Sequence, residues 1–413
     1  MRIAEDKQPT RRLSMPTNHR IFALFMSLVL LPLSASPLSS HSEQNTISYA
    51  CENTTSQEYS QYIQSLPYYT PSSTVSSPTQ ITSPQQSVAP TTPSQTTEKV
   101  KVIRAALDIG SGATKLRVAE VDLKTNKIEK ILVNESYSVQ YQENLSKSEN
   151  NTFNEQVMQA GVDAIKKGVD VAKKYNAEKV VAVATASFRK ASNSQDLINR
   201  IYKETGVKVY VIDQDLEGKL AFNAVMAQEN YQPQDLIVWD IGGGSLQLTG
   251  LGKNGQYQIY RGDTASINFK NIVIENVQHK NSSEVGTPNP ISAKEIEHSS
   301  AYARDIAQKV DRVFKDRIQE PQVQVVGVGN IFANNLYESL GHKKSFTQEE
   351  LRKAILTFAD KNDQQIGGGD YANVHVSNLI LVLGYMETLG INRMEIVDVN
   401  NADGAMLYPD FWR

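Results

Sequence analysis

The 413-residue chain has a single cysteine, Cys51, so no disulfide can form within it and a zinc site built from short-spaced cysteines is excluded. Its stability must come from packing. Long apolar runs are also missing: Ile21 to Leu33 spans about 13 residues, short of the roughly 20 that a membrane-crossing helix needs. Neither sign of charge is in large excess. A formal net charge of -3 offers no broad attraction for nucleic acid or an anionic membrane, so any anion must be bound at a local site. Walker A, His-Glu-x-x-His and Gly-x-Ser-x-Gly patterns are absent, which removes three common routes to phosphate, metalloprotease and serine-hydrolase chemistry. Of the six histidines only His375 falls near a region of interest, where a structural role is expected.

What is present begins with length: the chain exceeds what one core usually holds, and 40% hydrophobic with 21% charged residues is ordinary for a globular protein. Two domains are expected. Arg11, Arg12 and Arg20 precede the apolar run, and Ser34, Ala35 and Ser36 follow it, the pattern of a secretory signal peptide over residues 1–36. A periplasmic or secreted protein follows from that reading, and a cytoplasmic one if the amino-terminal segment is not used. Ser48, Tyr49 and Ala50 make a poor lipid-attachment signal before Cys51. Residues 37–99 are dominated by Ser, Thr, Pro and Gln and cannot bury enough apolar surface to offset ordering, so they read as a linker.

From Lys101 the pattern changes. Lys101 to Leu107 reads as a strand, Asp108-Ile109-Gly110-Ser111-Gly112 as a glycine-rich turn, and the residues through Val121 as a returning strand. A near copy lies 132 positions on: a strand from Leu236, then Asp240-Ile241-Gly242-Gly243-Gly244-Ser245, then a strand through Leu248. Asp, Ile, Gly, Gly and Leu match at the same offsets, which implies a duplicated domain. Loop glycines let backbone N–H groups approach a phosphate, and an aspartate at a strand end can hold a hydrated divalent cation. Between the copies, Val157, Gly161, Ile165, Val169 and Ala172 share a helical face, Lys179 to Thr185 reads as a buried strand, and Asn193 and Gly206 bound a further helix. Thr347 with Glu350 forms a capping box, and 276–290 reads as a mobile surface loop. The fold class expected is α/β, with domains at 100–225 and 226–413.

These motifs resemble the exopolyphosphatase/guanosine pentaphosphate phosphatase (Ppx/GppA) family of the actin and sugar-kinase superfamily, from about Val102 to Leu407. The matching residues are Asp108 to Ser111, Ala184-Thr185-Ala186-Ser187-Phe188-Arg189, Glu217-Gly218-Lys219-Leu220, Asp240 to Ser245, and Met386 to Gly390 followed by Asp398 and Asp403-Gly404. The resemblance implies two ribonuclease-H-like (actin-like) domains around a cleft, with the last helix returning to the first domain. It implies a phosphohydrolase acting on polyphosphate or a phosphorylated nucleotide, not on nucleic acid, with Mg²⁺ as cofactor and a homodimer as a common assembly. Glu217 would be the catalytic carboxylate that deprotonates the attacking water, and Arg189 a phosphate clamp. Asp108 and Asp240 would hold the metal. Gly110, Ser111, Gly112, Gly242, Gly243, Gly244 and Ser245 would bind phosphate. Read on its residue type alone, Glu217 is equally a solvated acid in a first helical turn, and Arg189 a surface ion pair.

The chain departs from the family in having Gly112 where Asn is usual, and Leu246-Gln247 where Thr-Glu is usual. Gln247 thus replaces a carboxylate with a neutral amide. A glutamine at this place also resembles the secreted nucleoside triphosphate diphosphohydrolases, and its neutrality suits a non-catalytic nucleotide- or polyphosphate-binding protein. A third glycine loop, Gly327-Val328-Gly329-Asn330, matches the family only loosely.

Overall fold

The computed structural model describes residues 101–413, so the expected signal peptide and linker lie outside the described residues. Two sheets organise this region. In the first, β1 (Lys101–Ile109), β2 (Ala113–Asp122) and β3 (Lys127–Ser138) form an antiparallel meander. β4 (Val180–Ala184) and β5 (Lys208–Val211) extend β1 on its other side in parallel, giving the order β3-β2-β1-β4-β5. The second sheet repeats the scheme with β6 (Leu236–Ile241), β7 (Leu246–Leu251) and β8 (Tyr257–Gly262) as the meander. β9 (Gln324–Val328) and β11 (Arg393–Ile396) are its parallel strands, and β10 (Ser345–Thr347) adds an antiparallel edge. The second order is β10-β11-β9-β6-β7-β8. The repeat that Asp108 and Asp240 mark in the sequence is therefore a repeat of topology.

Both central strands are covered on two faces, which is why they read as unbroken apolar runs rather than as alternating ones. All six residues of β6 are buried. Helices α1 (Tyr141–Ser146), α2 (Glu155–Lys174), α3 (Ala186–Lys190) and α4 (Ser194–Thr205) belong to the first half. Val162, Ile165, Val169 and Ala172 turn the apolar stripe of α2 into the core with Leu107, Leu116 and Ile201. Asn193 stands at the head of α4, yet its side chain does not cap it; Oδ1 accepts from Phe153 N–H at 2.8 Å and Nδ2 donates to Phe153 O at 2.9 Å, tying α4 to the loop before α2. Gly206 ends that helix in the left-handed region as expected.

α5 (Gln214–Gln228) follows β5, and the expected boundary at residue 225 falls inside it. The second half adds α6 (Ser266–Ile272), α7 (Ala293–Ala307), α8 (Gln348–Leu356), capped by Thr347 and Glu350, and the nearly all-buried α9 (Ala372–Leu389). The polar loop expected to be mobile is tied down instead: Asn289 Nδ2 donates to Asp363 Oδ1 and Ala372 O, Gln278 Nε2 to Pro288 O, and Asn373 Nδ2 to Gly286 O. Its polar side chains act as tethers, which composition does not reveal.

The last helix, α10 (Asn401–Leu407), packs on the first sheet, where Ala402, Ala405 and Met406 join Ala106, Val121, Val181 and Leu220. Buried Arg117 on β2 fastens it, reaching Asp398 Oδ1 at 2.9 Å and Asp403 Oδ2 at 3.4 Å. The chain's end is thus part of the first sheet's core. No helix among the described residues is long and apolar enough to cross a membrane.

Candidate active site

The two glycine turns are built alike. In each, the first glycine N–H donates to the carbonyl three residues on, Gly110 to Ala113 and Gly242 to Ser245, both at 2.9 Å. Five further carbonyls are held by the scaffold. Ser111 O accepts from Gln142 N–H, and Gly112 O from Val139 N–H and the Tyr371 hydroxyl. Gly242 O and Gly243 O accept from the backbone of Ser266 and Ile267, and Gly244 O from Lys190 Nζ at 3.0 Å. With these five acceptors engaged, the loops offer chiefly N–H groups, the composition of an anion nest.

Both turns line one cleft, together with Asp108, Lys115, Thr185, Glu217 and Asp240. They touch: a Cβ placed on Gly243 would lie 2.5 Å from Ser111 Cβ, so only one of these equivalent positions can carry a side chain. Gly329 closes the floor. Its φ of 82° and the 2.9 Å between a notional Cβ and Asp240 Oδ1 both require glycine there. The loosely matching third loop therefore belongs to the site.

Glu217 sits in the first turn of α5, whose N-cap Asp213 accepts from Leu216 N–H. It is 4% exposed and not a solvated acid. Arg189, at the end of α3, donates from Nη1 to Glu217 Oε2 at 2.9 Å and to Ile212 O at 2.7 Å, and from Nη2 to Ser245 Oγ at 3.1 Å. Gln247 Nε2 donates to the same Glu217 Oε2 at 3.2 Å and to Ser245 Oγ at 3.4 Å. Neither neighbour uses Oε1. Burial pushes the Glu217 carboxyl up to about 8 against the pull of Arg189, and the charges of Asp240 and Asp108 add to the rise.

Asp108 and Asp240 end their strands on the cleft. Lys115 Nζ lies 3.4 Å from Asp108 Oδ2, while buried Asp108 Oδ1 has no partner. Burial raises Asp240 to about 6; Lys115 opposes the rise, Asp108 adds to it, and a hydrogen bond from the Asn401 side chain opposes it. No cluster of three or more His, Cys, Asp or Glu side chains with metal-holding geometry occurs among the described residues.

The structure thus brings the candidate site residues together: the two turns, Glu217, Asp108 and Asp240 line one cleft, and Arg189 and Gln247 join it through Glu217 and Ser245. Lys115, Asn401, Tyr371 and an asparagine-rich wall are additions that sequence reasoning misses. Lys115 has a signal: it stands seven residues after Asp108, as Gln247 does after Asp240. The others come from distant segments with no local motif.

Comparison with known proteins bears on family and fold. A stretch of 156 residues is 28% identical to a bifunctional 3-dehydroquinate synthase/phosphatase of Fusobacterium nucleatum, covering 37% of this chain and 23% of that one. A stretch of 70 residues is 41% identical to exopolyphosphatase 1 of Mycobacterium leprae, covering 17% and 21%. The chain therefore spans less than a quarter of the length of these curated relatives. The solved Ppx/GppA enzyme of Aquifex aeolicus superposes with a TM-score of 0.58 at 19% identity, over 75% of this chain and 99% of that one, which establishes the two-domain actin-like fold. With the sequence pattern of the Ppx/GppA phosphatase family matching residues 118–407, the chain belongs to that family.

Proposed function

We propose that this protein is a phosphohydrolase that removes a terminal phosphoryl group from a phosphoanhydride, of the exopolyphosphatase or guanosine pentaphosphate phosphatase type. The observation that carries the reading is the pairing of a buried carboxylate, Glu217, with two loops in which five carbonyls are engaged by the scaffold and the N–H groups remain. The N–H groups of Ser111, Gly112, Gly243 and Gly244 would hold the phosphate chain from both sides. Arg189, anchored on Ile212 O, would stabilise equatorial oxygens of the transferred group while orienting Glu217. Glu217, held through Oε2, keeps Oε1 for the proton of an attacking water. Gln247 serves here as a neutral donor: where a second carboxylate would repel Glu217, the amide holds it in place.

Asp108 and Asp240 suit a divalent cation. Asp108 Oδ1 is a buried acceptor without a partner, and two carboxylates are what Mg²⁺ takes when water and substrate oxygens complete its shell. When bound, the ion would neutralise charge on the phosphoryl oxygens. Lys115 shares that task from the first hairpin. A homodimer and a secreted or periplasmic location remain parts of the proposal that rest on the family resemblance and the amino-terminal sequence.

The test is phosphate release by the protein with Mg²⁺ from tripolyphosphate, long-chain polyphosphate and nucleoside triphosphates, beside Glu217→Gln. Loss of a general base costs about 10²- to 10⁴-fold. A Glu217→Gln rate within a few-fold of the parent would remove Glu217 from the mechanism, and no release from any substrate would leave a binding protein.

A further inference from the structure

Each glycine turn is held twice, once by its own half of the molecule and once by the other. From its own half the support is backbone: in α1, which follows β3, Gln142 N–H donates to Ser111 O, and in α6, which follows β8, Ser266 and Ile267 N–H donate to Gly242 O and Gly243 O. From the other half the support is a side chain, and it falls on the same position of the repeat. Tyr371, just before α9 in the second half, donates its hydroxyl to Gly112 O at 3.0 Å. Lys190, at the end of α3 in the first half, donates Nζ to Gly244 O at 3.0 Å. Gly112 and Gly244 stand 132 positions apart, as Asp108 and Asp240 do.

The same two glycines are where the halves crowd each other. A Cβ on Gly112 would stand 3.3 Å from the Tyr371 ring, and one on Gly244 would stand 2.6 Å from Gln142 Oε1 of α1, so both positions meet the opposite half at backbone distance. Lacking a Cβ, a glycine leaves the peptide that follows it freer to turn over. The N–H and C=O of one peptide point in opposite directions, so a turned peptide would present a carbonyl oxygen where an anion nest needs N–H. The crossing donors oppose that rotation, and they can do so only while the two halves are together. A third crossing contact bolts the helices that support the turns: Lys270 of α6, fully buried, lies 2.7 Å from Glu143 Oε2 of α1. Drawing the halves apart would strip Lys270 of this partner.

We propose, on the basis of the phosphohydrolase reading above, that Lys190 and Tyr371 are positioning residues, each fixing the peptide orientation of the other half's phosphate turn, so that neither turn is a complete anion nest until the halves have met. Binding of the phosphate chain and assembly of the site around Glu217 are then one event, because Lys190 directly follows Arg189, which holds Glu217.

The experiment measures calorimetric binding of tripolyphosphate, and kcat/KM for its hydrolysis, in the parent, Lys190→Met, Lys190→Arg, Tyr371→Phe and the double variant Lys190→Met with Tyr371→Phe, with Tm recorded for each. Lys190 is exposed and Tyr371 half-buried, so the substitutions leave the core intact. Loss of the charged donor should weaken binding about tenfold or more, and loss of the neutral one about two- to tenfold, since Gly112 O keeps Val139 N–H. Lys190→Arg, which retains a donor, should recover most of the affinity. In the double variant the two losses should fall short of multiplying, because both ties depend on the same meeting of the halves, whereas side chains that merely support their own surroundings would give the product. Losses that multiply, or single variants within twofold of the parent, overturn the inference and leave the hydrolase reading intact. A parent that binds tripolyphosphate with the coupled losses yet releases no phosphate from any substrate removes the hydrolase reading and leaves the inference standing. A parent that binds no tripolyphosphate overturns both.

Discussion

Asp108 and Asp240 occupy the same place in two hairpins of the same register, and across its own hairpin each faces one residue, Lys115 in the first and Gln247 in the second. The first hairpin answers its aspartate with a cation 3.4 Å away. The second does not: Gln247 bonds Glu217 and Ser245 instead, and Asp240 depends on Lys115 from across the cleft to oppose its rise. On the proposed reading the duplicated turn would be a phosphate grip common to both halves. The chemistry would then lie in the position where the copies differ, one hairpin managing charge and the other positioning the proposed base.

The symmetry breaks most sharply where the loops touch. Since a Cβ on Gly243 would stand 2.5 Å from Ser111 Cβ, Gly243→Ala must push the turns apart. An overpacked contact of this kind costs about 1–3 kcal/mol, and kcat/KM should fall by roughly ten- to a hundredfold as the grip widens. Adding Ser111→Gly to Gly243→Ala exchanges the two positions. The double variant should regain the parent Tm, and with it the activity that does not need the Ser111 hydroxyl. A double variant no more stable than Gly243→Ala would show that the contact is not what separates the loops.

Lys115→Gln makes the first hairpin resemble the second. It removes the cation facing Asp108 and the charge that opposes the rise of Asp240. Without that opposing charge Asp240 binds a proton more readily, so at neutral pH the half-saturating Mg²⁺ concentration should change, and kcat/KM should drop by about tenfold from loss of one charge-assisted contact to phosphate. A titration of rate against Mg²⁺ separates the two effects. Full activity in Lys115→Gln at every Mg²⁺ level would reduce Lys115 to a structural ion pair.

Gln247→Glu sharpens the comparison from the other side, since it places a second negative charge against Glu217 Oε2. With the carboxyl already at about 8, the acid limb of the pH–rate profile should move to higher pH by about a unit, the ordinary effect of a like charge at hydrogen-bond distance. Arg189→Met should move it the same way, because the guanidinium is the main opposition to that rise. An unmoved limb in both variants would assign the titration to another group.

How much of the molecule is legible in its sequence depends on which features are local. The hairpins, the alternation of α and β elements, and the capping of α8 by Thr347 and Glu350 are written in contiguous residues and can be read directly. Glu217 and Arg189 emerge only through a family resemblance, because an acid in a first helical turn and an arginine after a strand have unremarkable local explanations. Their partnership depends on α3 and α5 meeting across β5, which no spacing encodes. Asn193 shows the converse: a good capping residue at the head of a helix is drawn to Phe153 by a tertiary contact. The relay from Ser339 through His375 to Asn378 joins two helical segments some forty residues apart, with no motif to announce it.

The smallest effect expected concerns stability rather than rate, and it tests whether the charge asymmetry is real in the folded protein. Glu217, Asp240 and Asp403 are all raised, chiefly by burial, to about 8, 6 and 6. Each folded-state value lies above the unfolded one near 4, so in this range the folded protein holds protons that the unfolded chain releases. The stability these groups contribute is fully present below about pH 4 and is lost as pH rises through about 6 for the aspartates and about 8 for Glu217. Without divalent cation, Tm should therefore be several degrees lower at about pH 8 than at about pH 5.5. Glu217→Gln, neutral at every pH, should remove the upper part of that decline and leave the lower part. A decline unchanged in Glu217→Gln would mean that Arg189 and Gln247 already hold Glu217 ionised, and that the second hairpin manages charge as fully as the first.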